Sequence, residues 1–542
     1  MYTGISKFAL GSKSDSMNFN KYKYKILLLI PAITMFFIAL IPTLKYQWPL
    51  SWDIIYHVQY AKIYAQYGFV LNNPLMNAPI GQKIAYPPLF HLLLVALNTL
   101  LKIDYFQIAK LLQPIFAASI VLSVSFVARK FYGKLAGISA GFLVISSYLI
   151  HRIVLPIPEN LALIFLPLAV YFYYKSIKEE ILKYALISGF MFIITISIHP
   201  AAPLCLFLII TAFTILKLAW DKNINVLKNY GAFLLILIAL LVIGLIILFI
   251  WRPELFNLII NQGLNSVTGY STSLPHNKSM SILGYLGSLG AFLLVFATFG
   301  GIFALKKIQE RNIFIFIWIL TMFLLSKAYW FGINVISYRV LIYLLIPLSI
   351  LGGYGLSQIY YKLKEYETFS SPQFRSAFLI SIFVLCTLFG VFTIDSPKIA
   401  NFGASTELGY VQIAPPSDSE VDLANWFKEN GDKNKSIIIS NLYTGTFIAT
   451  EAGMSIHYGF EYYNKSDPIS NFEKEKIGYM VFDKCLTFPS KNEPIYLKKV
   501  RSEFYPLFYF SKDIKSNIKE IIPEYAEIVY ENEDFIVCKI IY

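Results

Sequence analysis

Charged side chains are scarce: Asp, Glu, Lys and Arg supply 15% of the 542 residues, against 56% hydrophobic ones. A soluble chain of this length divides into several domains and covers them with far more charge, so that class is excluded. Acids are the rarer sign, 33 against 46 Lys and Arg, which leaves a formal net charge of +13. Nucleic acid is not the partner this implies. The basic residues sit in short loops between apolar runs, which is the positive-inside pattern of membrane proteins. Cysteine is rare too, with four in the chain. Cys205 and Cys386 lie inside apolar runs as packing residues. Cys485 and Cys538 fall in the polar tail, where a disulfide and separate burial are both open. No Cys/His spacing offers a zinc site.

What the chain has instead is a mean hydropathy of +0.58 and 17% aromatic residues. Runs of about 20 apolar residues, enough to cross a bilayer, recur as far as residue 394. The expected fold is mostly α: a polytopic helical membrane protein with a small C-terminal extracytoplasmic α/β domain. Its parts are a cytoplasmic N-terminus at 1–24, a transmembrane domain at 25–394 and the tail at 395–542. Eleven spans are expected, over 26–45, 108–128, 135–151, 160–174, 184–198, 201–218, 230–251, 281–305, 312–326, 340–360 and 376–394. The first follows a basic segment and is long enough to stay as an anchor, not a removable signal. With these spans, triplets such as Arg129/Lys130/Lys134 and Lys306/Lys307/Arg311 fall on one side. The N-terminus is then cytoplasmic and the tail outside, in a multi-pass protein of the cell membrane.

That topology leaves a long first outer loop, 46–107. Asp53 and His57 are four apart in a helix expected over 52–67, so they share one face. An Asp here can also cap the helix while the His reaches to the interface. A turn-rich stretch runs from Asn72 to Gly81, and Pro87-Pro88 opens a helix over 87–102, too short to span and suited to the interface plane. Further ionisable residues collect on the same side: His151, Arg152 and Glu159; His199; Arg252 and Glu254; Lys327 and Arg339. Such groups near hydrocarbon face a cavity, a partner or headgroups. Glu159 either complements the positive end of the helix it opens or is a second acid facing Asp53 across a cleft. The Arg339 guanidinium suits a phosphate, on a lipid carrier or on ordinary headgroups.

Taken in order, these features resemble the C-type glycosyltransferase superfamily (GT-C). It includes protein O-mannosyltransferases, aminoarabinose transferases and oligosaccharyltransferase catalytic subunits. The resemblance covers roughly 20–394. It rests on the acid Asp53 early in the first outer loop, Tyr86-Pro87-Pro88-Leu89-Phe90-His91 for a Pro-Pro-Leu motif, and Glu159 in the next outer loop. Arg339 ahead of a span with Pro347 and Gly352-Gly353 completes it. The resemblance implies transfer of a sugar from a polyprenyl- or dolichyl-phosphate donor to a protein, lipid or glycan acceptor, among membrane lipids at the extracytoplasmic face. Asp53 would be the general base of an inverting reaction, with Glu159 the second catalytic acid. Arg339 with Arg152 would hold the leaving phosphate, and His57 and His199 would contact the substrates.

The sequence departs from oligosaccharyltransferases in two ways. Its second outer loop carries Glu159 without a paired acid, and the tail has no Trp-Trp pair. That weakens oligosaccharyltransferase-type transfer and a bound divalent cation, although Asp53 and Glu159 are the carboxylates that would hold Mg2+ or Mn2+. The Lys-, Ile- and Asn-rich composition fits an AT-rich archaeon. In the tail, 419–430 reads as an amphipathic helix stopped by Gly431, and 436–440, 477–482 and 535–541 read as strands. Asn277, Asn434 and Asn464 each open an Asn-Lys-Ser sequon. A lipid or polysaccharide transporter is the competing reading, and a non-catalytic assembly subunit a third. Transporters place ionisable groups at mid-membrane within repeated halves; here span interiors are nearly free of charge and no internal repeat is visible.

Overall fold

The computed structural model describes residues 9–541 except 52, 85, 252, 254–255, 258–259, 261–279, 332, 334, 396–414, 462–467, 488–496 and 502–505. Arg252, Glu254, Asn277 and Asn464 therefore lie outside the described residues. The membrane part runs α1 (Ala9–Lys45), α2 (Asp53–Tyr67), the short pair β1 (Asn72–Asn73) and β2 (Gln82–Lys83), α3 (Leu89–Leu101), α4 (Tyr105–Tyr132) and α5 (Lys134–Ile145). It continues through α6 (Ile150–Ile153), α7 (Pro158–Glu179), α8 (Leu182–Ile198), α9 (Ala201–Asp221) and α10 (Asn225–Trp251). Then come α11 (Ile282–Leu289), α12 (Ala291–Lys306), α13 (Glu310–Ser326), α14 (Ser337–Lys362) and α15 (Pro372–Ile394). The tail holds α16 (Asp418–Asn430), β3 (Ser436–Ile439), α17 (Leu442–Ala452), β4 (Ser455–His457), α18 (Pro468–Lys474) and β5 (Ile477–Asp483). It ends with β6 (Leu497–Arg501), β7 (Pro506–Phe510), α19 (Ile518–Ile521), β8 (Ala526–Glu531) and β9 (Phe535–Ile540).

This is a multi-pass helical membrane protein. Among the described residues, seven helices are long and apolar enough to cross a bilayer, and α11 with α12, bent by 103°, makes an eighth if the pair is one span. Each of the eleven expected segments holds at least one helix. Those at 135–151, 184–198 and 312–326 hold α5, α8 and α13, of 12, 17 and 17 residues, which are not among the seven. The first of these stops early, at Ile145. Ser146 caps it and turns its hydroxyl back to the Leu143 carbonyl at 2.9 Å, so the expected span breaks before α6.

The chain divides into two compact units. The first takes residues 1–41, 113–154 and 158–395. Its most enclosed helix is α14, which neighbours approach at the backbone: a Cβ on Gly353 would lie 2.4 Å from the Ala136 carbonyl oxygen on α5, and one on Gly355 2.2 Å from that of Phe296 on α12. Small residues permit this approach where no hydrophobic force draws helices together. At the other extreme, α10 exposes Leu240, Val242, Ile246 and Phe249, as a lipid-facing helix does.

The second unit takes residues 42–112, 155–157 and 396–542. Its five-stranded sheet has the order β4-β3-β5-β9-β8, with β3 parallel to both neighbours and β9 antiparallel to β5 and β8. Ile438, Met480, Phe482, Phe508 and Ile536 form its core. The first loop belongs to this unit and covers the free edge of β4: Ile456 donates to the Leu75 carbonyl at 2.8 Å and accepts from the Ala78 amide at 3.0 Å. An edge strand so paired is closed to other chains. Lys62 of α2 reaches Glu451 of α17 at 2.7 Å, and the Trp48 ring packs edge-on against Phe106 and Phe447. The cysteines left open by the sequence are unpaired. The register Asp483↔Phe535 puts Cys538 further down β9, facing the core, while Cys485 lies beyond the end of β5.

Candidate active site

In the first unit, three helices begin around one polar cluster. Pro158 occupies the first turn of α7, where its missing N–H costs nothing, and sets Glu159 at that helix's positive end. The Asn160 side chain donates to the carbonyls of Arg152 at 2.6 Å and Ile153 at 3.1 Å, fastening α6 to the start of α7. So held, Arg152 donates through Nη2 to Oε2 of Glu159 at 2.9 Å, with both side chains buried. From the second turn of α14, the Tyr343 hydroxyl donates to Oε1 of Glu159 at 3.3 Å and lies 3.5 Å from Nδ1 of His199. His199 stands between α8 and α9, where its Nδ1 accepts from the amides of Ala201 and Ala202, each at 3.3 Å. That nitrogen is therefore bare and the ring proton sits on Nε2. Burial holds His199 down to about 4, with Arg339 and Arg152 pushing the same way.

Arg339, half-buried in the first turn of α14, acts electrostatically on Arg152, Glu159 and His199 alike. The cluster thus sets two guanidinium groups and one carboxylate where three helices start. An anion is what such an arrangement attracts.

In the second unit, Asp53 opens α2, with its amide donating to Oγ of Ser51 at 3.1 Å. His57 is buried one turn further on, and its Nδ1 lies 3.0 Å from Nε2 of His91 on α3. Rings enclose the pair: Tyr60 and Tyr64 stand edge-on to His91, Tyr86 and Phe90 edge-on to His57. Burial pushes the His91 imidazole down to about 3, so it is neutral. In the sequence His91 stands out only as the last residue of the Tyr86–His91 motif, with no role of its own. Tyr343, Asn160 and the pairing of Glu159 with Arg152 carry no signal in the sequence and emerge only from the structure.

Of the other residues named from sequence, Lys327 donates to the Met280 carbonyl at 2.5 Å and lies over the Tyr285 ring. His151 donates from Nδ1 to the Tyr148 carbonyl. Asn434 is exposed. Among the described residues no three His, Cys, Asp or Glu side chains gather to hold a metal. Glu159, already bound by Arg152, does not fit a divalent cation.

No family model matches the sequence, and no curated protein matches it. Solved structures do. The archaeal oligosaccharyltransferase AglB from Archaeoglobus fulgidus, in complex with an inhibitory peptide and a dolichol-phosphate, is 15% identical with a TM-score of 0.57 over 86% of this chain and 70% of its own. A further structure of that oligosaccharyltransferase is a complex with Zn and sulfate. ArnT from Cupriavidus metallidurans, bound to undecaprenyl phosphate, is 11% identical with a TM-score of 0.57 over 95% of this chain and 98% of its own. The arabinofuranosyltransferase AftD from Mycobacteria is 11% identical with a TM-score of 0.52 over 95% of this chain and 41% of its own. At these identities the likeness is one of fold.

Proposed function

We propose that this chain, which has the fold of the C-type glycosyltransferase superfamily, moves a sugar from a polyprenyl-phosphate donor to an acceptor at the extracytoplasmic face. On this reading the N-terminus is cytoplasmic and the C-terminal domain stands outside. Asp53 takes the proton of an acceptor hydroxyl as its oxygen attacks the anomeric carbon. The new C–O bond forms as the bond to the lipid phosphate breaks, the configuration inverts, and the phosphate leaves with the bonding pair. Arg339 and Arg152 receive that charge. Their guanidinium groups hold it in the fork geometry that phosphate oxygens match.

The observation that carries the proposal is the excess of positive charge in the α7–α9–α14 cluster. One carboxylate, Glu159, stands there against Arg152 and Arg339. Glu159 serves as the fixed counter-ion that aims Arg152 and takes no proton in the reaction. His199 and Tyr343 complete the shell.

Binding of dolichyl or undecaprenyl phosphate to the full chain in nanodiscs tests this directly. Arg339→Gln removes charge-assisted hydrogen bonds worth about 1.5–3 kcal/mol and should weaken binding about tenfold or more. Equal binding by wild type and Arg339→Gln, or none by either, would overturn the assignment.

A further inference from the structure

The buried His57–His91 pair has no part in the scheme above, yet its geometry permits one arrangement of protons. We infer that His91 is a positioning residue that fixes the tautomer of His57, so that His57 presents a neutral Nε2–H donor on the helix face it shares with Asp53. The functional consequence rests on the proposed transfer reaction; the tautomer itself does not.

Across the 3.0 Å between Nδ1 of His57 and Nε2 of His91, one nitrogen carries the proton and the other accepts it. His91 is 0% exposed, and its Nδ1 is buried without a hydrogen-bond partner among the described residues. If His57 donated, neutral His91 would have to keep its proton on Nδ1, a buried donor with no acceptor. If His91 donates, its Nδ1 is a bare acceptor. Orphaned donors are the rarer and costlier of the two. His91 therefore gives its Nε2–H to Nδ1 of His57, and the proton of His57 sits on Nε2.

Side chains on a helix lean toward its N-terminus, so a ring at position 57 leans over the turn that carries Asp53. With Nδ1 tied and Nε2 protonated, His57 cannot take the acceptor's proton. It donates a hydrogen bond to a substrate oxygen and leaves the proton to Asp53. A donor and a base are thereby kept apart on one helix face.

The test is solid-state NMR of full-length protein, 15N-labelled at its six histidines, in lipid nanodiscs, with the His57→Gln spectrum to assign the signal. Wild type should show His57 with a bare Nδ1 and a protonated Nε2. His91→Phe keeps a ring in the box but removes the donor, and His57 should then populate both tautomers. His91→Gln returns an N–H donor and should restore the Nε2–H form. A wild-type His57 protonated on Nδ1, or a tautomer unmoved by His91→Phe, overturns the inference. In transfer assays His91→Phe should lower kcat and His91→Gln recover it in part; equal kcat for both variants and wild type contradicts the functional half. Normal transfer by Asp53→Asn would sink the proposed reaction while leaving the tautomer result standing, so the two failures are distinguishable.

Discussion

Arg152 donates to Glu159 across 2.9 Å with both groups buried, and that pair separates two acids that the sequence treats alike. Glu159 is spent on a guanidinium, whereas Asp53 belongs to the other unit and opens a helix. Glu159→Ala strands a buried Arg152 and should cost about 3–5 kcal/mol of stability, read as a lower melting temperature in detergent or nanodiscs. Glu159→Gln keeps the shape and an acceptor, and should retain transfer within about tenfold. A general base replaced by its amide would lose about 10²–10⁴, so a loss of that size in folded Glu159→Gln would return Glu159 to the catalytic role.

Gly353 and Ala136 set a second prediction. A Cβ at position 353 would meet the Ala136 carbonyl oxygen at 2.4 Å and the Ala140 amide nitrogen at 2.8 Å, and backbone cannot step aside as a flexible side chain does. Gly353→Ala should destabilise the first unit by about 1–3 kcal/mol, and Gly353→Leu by more. A Cβ at Gly231, inside α10, would meet nothing within 4 Å, so Gly231→Ala is the control and should hold or slightly raise the melting temperature, because alanine suits a helix interior better than glycine.

The C-terminal domain carries a pH dependence of opposite sign to ordinary acid unfolding. Burial pushes Glu420 up to about 7 and Asp483 up to about 6. Thr444 donates to Glu420 at 2.7 Å and Asn441 to Asp483 at 2.7 Å, which offsets part of that rise. Both values exceed those of unfolded carboxyls, about 4, so between these limits the native state holds more protons than the unfolded one. Stability then falls as pH rises. It is full near pH 4 and lost progressively up to about pH 7. Hydrogen exchange at 436–457 in the full chain, corrected for intrinsic rates, should show weaker protection at pH 8 than at pH 5. Glu420→Gln should flatten the difference.

Much of this architecture was legible because it is local. The helix over 52–67 and the strands at 436–440, 477–482 and 535–541 follow from period and composition, and α2, β3, β5 and β9 fall on them. Asp53, His57, Glu159, Arg152, His199 and Arg339 stood out as ionisable groups beside apolar runs. Their pairing was not legible. Arg152 and Glu159 are separated by a path through Pro156 and Pro158 whose turn no periodicity encodes. His57 and His91 lie 34 residues apart on two helices. The union of the first loop with the tail rests partly on backbone bonds of Ile456 to Leu75 and Ala78, and backbone atoms leave no mark in a sequence.

The most direct measurement is sugar transfer by purified wild type and Asp53→Asn across a panel of polyprenyl-phosphate sugars, with polyprenyl-phosphate binding recorded alongside. The account predicts transfer by wild type from one donor of the panel. It predicts a fall of about 10²–10⁴ in Asp53→Asn, with binding of the lipid phosphate unchanged. Full transfer by Asp53→Asn, or no transfer by wild type from any donor, would contradict it.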